Sequence, residues 1–174
     1  MTLTGSDYLL RLSALAVSFV GWSAIVVTLR RALGAELSPL HMYFVRFFIE
    51  GGLAVAAFGL LPAALSFTGL ADSLIWRLSS AAGAVVFSLY FVFLFRRRRR
   101  VTTGPIQLQT RVSFVISILA TLALWANAVA FRFRPSPAAY ALALTWLLVV
   151  GGWVFVQNLE LFFGVGSSLP NQHT

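Results

Sequence analysis

The amino-acid sequence predicts an all-α integral membrane protein, a bundle of five transmembrane helices that assembles as a homo-oligomer. Composition is the first reason. Of 174 residues, 59% are hydrophobic and 10% charged, against about a quarter charged in a soluble domain. The mean hydropathy is +0.88, and a water-soluble fold would have almost no polar surface to present. The second reason is length. The apolar residues gather into five runs, 8–29, 39–61, 74–95, 108–131 and 138–159, each reaching the roughly 20 residues that cross about 30 Å of hydrocarbon. The third is punctuation: Gly34 and Pro39, Pro62 with Gly69, Gly104 with Pro105, and Pro135 with Pro137 separate the runs. Uninterrupted helices between these breakers satisfy the backbone groups that lipid leaves unsolvated.

Each run has its own signature. Run 8–29 has no basic segment before it and is followed by Arg30 and Arg31, so it is expected to anchor the chain rather than to be cleaved as a secretory signal. Run 39–61 holds Arg46 and Glu50 and ends before Pro62. Run 74–95 stops at five consecutive arginines, Arg96, Arg97, Arg98, Arg99 and Arg100. Run 108–131 carries Ser113, Ser117 and Thr121 at four-residue spacing, one stripe on a helix, expected to face protein rather than lipid. Run 138–159 leaves the bilayer at Gln157, Asn158 and Glu160. Residues 1–163 then form one transmembrane domain, and 164–174, rich in Gly, Ser, Pro and Asn, a flexible tail. Three pairs, Ala14 with Ser18, Gly52 with Ala56 and Ser79 with Gly83, have the small-xxx-small spacing that lets membrane helices approach. Trp76 and Tyr140, near the ends of their runs, are expected at the membrane interface.

The arginines orient the bundle. With the amino terminus outside, the cytoplasmic side collects Arg30, Arg31, Arg96 to Arg100 and Arg111, and the outer side Arg11, Arg77, Arg132 and Arg134. The positive-inside rule therefore places the amino terminus outside and the carboxyl terminus in the cytoplasm. Arg30, Arg31 and the arginine run are expected to meet anionic lipid headgroups, at about 1 kcal/mol per basic group near the surface. Nucleic acid is not an expected partner, because no aromatic platform accompanies the basic groups.

Arg46 and Glu50 sit inside the second run, Glu50 close to the midplane. Ionisable groups at such depth are costly and mark functional positions. Their i, i+4 spacing is expected to bring the side chains together, with Trp22 offering a cation–π face at similar depth. Counting helix rise places Trp22, Ser88 and Ser117 level with Arg46, and Ser18, Thr121 and Thr145 level with Glu50, so two polar layers are expected around one ion pair. Gly51 and Gly52 leave the backbone beside Glu50 bare, open to a helix, an ion or a small substrate.

Several chemistries are excluded. The chain has no cysteine, and all 13 of its basic residues are arginines, so no Schiff base, disulfide, thiol nucleophile or thiolate-held cluster forms. His41 and His173 stand far apart and match no metal-ligand spacing. No catalytic role and no cofactor is expected. The stretch Gly21 to Arg30 resembles segments of bacterial membrane proteins and implies no activity. The bias to alanine, leucine and arginine suits a GC-rich bacterial genome, hence an inner-membrane location. Two functions fit: a homo-oligomeric ion channel or small transporter with Arg46 and Glu50 near the pathway, or a non-catalytic membrane subunit, scaffold or assembly factor in which the pair is structural. Five spans are few for a complete monomeric transporter, so both readings predict association.

Overall fold

The computed structural model describes residues 3, 5–32, 34, 39–101, 108–129 and 135–163, with the backbone alone at 30, 39–41, 99–101, 108–110 and 157–163. Five α-helices follow one another: α1 (Ser6–Ala32), α2 (Pro39–Ser66), α3 (Asp72–Val101), α4 (Leu108–Val129) and α5 (Pro137–Phe163). All five are long and apolar enough to cross a membrane, and no strand occurs among the described residues. Four helices outrun their expected limits, α1 and α5 by no more than four residues at either end and α2 and α3 by more. α2 continues through Pro62 to Ser66, and α3 continues into the arginine run, because arginine is a good helix former and nothing there interrupts the backbone ladder. The end of run 108–131 and the tail 164–174 lie outside the described residues.

Local chemistry sets the helix ends. Asp7 and Asp72 stand in the first turns of α1 and α3, where negative charge suits the helix dipole. Ser136 caps α5, its Oγ accepting from the Ala139 N–H at 3.4 Å, with Pro137 at the first helical position. Beyond α1 and α2, Gly34 and Gly69 have φ of +76° and +72°, a left-handed conformation that glycine adopts without a Cβ penalty.

α1 lies closest to α2. A Cβ on Gly52 would come within 2.6 Å of Val20, and one on Gly59 would overlap Ser13. The Ser13 hydroxyl sits between the carbonyl oxygens of Leu9, at 2.9 Å, and Ala56, at 3.0 Å. Of the three expected small-residue pairs, Gly52 with Ala56 and Ser79 with Gly83 are buried, whereas Ala14 and Ser18 point outward. The α1 face against α2 is instead Leu9, Ser13, Ala16 and Val20, since azimuth as well as spacing decides which small residues meet a neighbour.

α2 and α5 occupy the middle of the bundle, and the core gathers Leu12, Val55, Phe87, Leu124, Leu144 and Leu148 around them. Trp76 and Tyr140 belong to this core rather than to an interfacial belt, buried at 3% and 0% exposure with ring centroids 5.8 Å apart. The reason is backbone chemistry. Pro62 has no N–H, so the carbonyl four residues back, at Phe58, lacks its helical donor; the Tyr140 hydroxyl donates to it at 2.7 Å. Only 22–33% of each span is buried, and Ile25, Leu89, Leu119 and Leu142 face outward. Helices apolar on every side, with most of that surface uncovered, suit lipid as solvent.

Candidate functional site

Glu50 lies on the side of the bundle where α2 packs against α3. Among the described residues Glu50 pairs with Arg97, Oε1 to Nη1 at 3.8 Å, and not with Arg46 one turn away on its own helix. Side-chain direction explains the correction. Helical side chains lean toward the amino terminus, so Glu50 and Arg46 both lean the same way along α2, and Arg four residues before Glu is the weaker orientation of such a pair. Glu50 thus reaches toward the end of the bundle that carries the arginine run, where α3 supplies Arg97. The Arg97 guanidinium also lies 5.9 Å from the centre of the Tyr43 ring, the cation–π contact expected of Trp22. Trp22 is 66% exposed on the outer face of α1.

Next to the pair, Tyr90 donates its hydroxyl to the Phe47 carbonyl at 3.0 Å and stacks on the Phe47 ring. Gly51 faces the Tyr90 oxygen, where a Cβ would make an ordinary contact at 3.9 Å. Gly52 receives α1. A cavity of about 30 Å³ adjoins Gly51, Tyr90 and Ser117, room for about two waters. The charged groups face away from it. Glu50 retains 42% of its side-chain exposure and Arg97 21%, and Arg46 is exposed.

The expected polar layers do not assemble. Ser117 and Thr121 are buried as the stripe predicts, together with Ser113, yet their hydroxyls donate to carbonyls one turn back, Ser117 to Ser113 and Thr121 to Ser117. Ser18 bonds the Ala14 carbonyl and faces outward. Ser88 accepts from the Trp125 indole at 3.2 Å on the α3–α4 side, and Thr145 meets Tyr8 at 2.7 Å between α5 and α1. Small hydroxyls in an apolar helix satisfy themselves on their own backbone, so equal depth alone does not bring them to one ion pair. Of the lipid-facing candidates, Arg31 and Arg96 are exposed and Arg98 half-buried; the side chains of Arg30, Arg99 and Arg100 lie outside the described residues.

Sequence reasoning missed Tyr43, Tyr90 and Asn127, and assigned Tyr140 to the membrane interface without its hydrogen-bonding role. Asn127 ties three helices at the far end of the bundle: its Nδ2 donates to Ser80 at 2.8 Å and to the Ser136 carbonyl at 3.2 Å, and its Oδ1 accepts from the Ser136 N–H at 2.8 Å. One of the four carried a readable signal, since Pro62 within an apolar run demands a donor for the carbonyl at position 58, which Tyr140 supplies. No protein-family model, curated protein or solved structure matches the chain.

Proposed function

We propose that the chain is a multi-pass membrane protein that works as an assembly of copies, the α2–α3 faces meeting so that Glu50 and Arg46 line an ion path between subunits. One observation carries this reading: the two charged side chains lie on the outside of the protomer, Glu50 at 42% exposure, about 12 Å along α2 from Met42 where its span begins. A charged side chain facing hydrocarbon at such depth costs about 3 kcal/mol, and another protein surface or an aqueous path removes that cost. No charged side chain lines the 30 Å³ cavity, and the reading therefore puts the ion path between copies. The basic groups of Arg46 and Arg97 would set selectivity by the field they add to the carboxylates.

A second reading, a non-catalytic subunit or scaffold, is favoured by the Glu50–Arg97 contact, which joins two helices. One experiment separates the two. Glu50→Gln keeps shape and hydrogen bonding. If carboxylates line a path, this variant in reconstituted vesicles assembles normally and shows altered ion selectivity or lost proton flux. If the pair is structural, thermal stability falls and flux is unchanged. Absence of flux from the wild-type protein across cations, anions and protons would sink the ion-path reading.

A further inference from the structure

Tyr43, Arg46 and Glu50 stand at i, i+3 and i+7 of α2, a spacing that sets three side chains in one stripe along a helix. Arg97 of α3 touches both ends of the stripe. Its guanidinium lies 5.9 Å from the centre of the Tyr43 ring and 3.8 Å from a Glu50 oxygen. Arg46 is the middle member, exposed and paired with no carboxylate among the described residues. Two guanidinium groups thus share one stretch of surface with one carboxylate, and Tyr43 lies within the field of Arg98 as well as of Arg97. Among the described side chains the other acids, Asp7 and Asp72, begin α1 and α3 at the opposite end of the bundle. The excess of charge on this stripe is positive.

We infer that Arg46 and Arg97 together hold a small inorganic anion, and that the ion path of the proposed assembly is an anion path. The inference rests on the ion-path reading for where the ion goes, and it names the ion. Two guanidinium groups on one stripe repel each other, and an anion between them removes that repulsion. A cation drawn to Glu50 meets two like charges instead, and each added copy brings two guanidinium groups for every carboxylate, so the excess grows with assembly. The Glu50 contact leaves room for a competitor. At 3.8 Å it is wider than the about 2.7–2.9 Å of a closed charge-assisted hydrogen bond. Glu50 thereby weakens the hold of the arginines, and conduction needs binding that is loose enough for the ion to leave. The phosphate of a lipid headgroup offers the same arginines a related anion.

The test uses the full chain in phosphatidylcholine vesicles under a potassium chloride gradient, the chloride-to-potassium permeability ratio being read from the reversal potential. The wild-type ratio is expected above one. Arg46→Gln, at an exposed position, should lower it about fivefold, the size of one basic group's contribution near a membrane surface, and Arg46→Lys should preserve it. Glu50→Gln should shift the ratio the opposite way, upward. A wild-type ratio below one, or shifts of the same sign in Arg46→Gln and Glu50→Gln, would overturn the inference and leave the ion path standing. Binding is read separately, as the melting temperature of the detergent-purified protein when chloride replaces gluconate at constant ionic strength. A rise in the wild type that Arg46→Gln lacks, with no flux from either, would uphold the anion site and sink the ion path. No rise and no flux would sink both. A rise with added phosphatidylglycerol and none with chloride would assign the arginines to lipid phosphate and overturn the inference.

Discussion

Pro62 and Tyr140 are separated in sequence by two whole helices, α3 and α4, yet one hydrogen bond makes them a unit. Tyr140→Phe removes the donor from the buried Phe58 carbonyl and should cost about 1 to 2 kcal/mol, read as a lower melting temperature in detergent. In a Pro62→Ala background residue 62 recovers its N–H and fills the carbonyl, so the same Tyr140→Phe change should cost much less. Equal costs in the two backgrounds would show that the tyrosine acts through packing alone. Glu50 permits a parallel test. Its coupling to Arg97 in a double-mutant cycle should approach 1 kcal/mol, the upper end for partly exposed pairs, and its coupling to Arg46 should be near zero. This partner was not legible from spacing, because i, i+4 adjacency says that two side chains share a face and not that they lean toward one another.

The helices themselves were legible, since composition and breakers locate all five, and the departures follow from tertiary context. Proline is a reliable stop only where the freed carbonyl finds no other donor; here Tyr140 supplies one, and α2 gains the turn that reaches Ser66. Serine and threonine were legible as buried where they recur on one face, as Ser113, Ser117 and Thr121 do, but not as a shared layer across helices. Packing between α1 and α2 depends on two glycines whose neighbours no sequence pattern shows. Gly59→Ala places a methyl group against Ser13 and the Leu9 carbonyl and should destabilise by about 1 to 3 kcal/mol. Gly21→Ala, at a helical position with nothing within 4 Å, should stabilise by up to about 1 kcal/mol. Thermal melts of the two variants in one detergent check both signs, and matching shifts would contradict the close α1–α2 contact.

At the scale of the molecule, charge and exposure carry the account. Reporters fused at the two termini are expected to read opposite sides of the membrane, the amino terminus outside and the carboxyl terminus in the cytoplasm; the same side for both would break the five-span count. On the α2–α3 side Arg46 and Glu50 stand uncovered within the spans. In the proposed assembly copies of the chain meet on this face. Because the chain has no cysteine, single cysteines report contacts without background. The direct measurement is oxidative cross-linking in native membranes of Arg46→Cys against Trp22→Cys, the latter on the exposed flank of α1. The proposed assembly predicts a covalent dimer from Arg46→Cys and monomer from Trp22→Cys; monomer from Arg46→Cys with dimer from Trp22→Cys would contradict it.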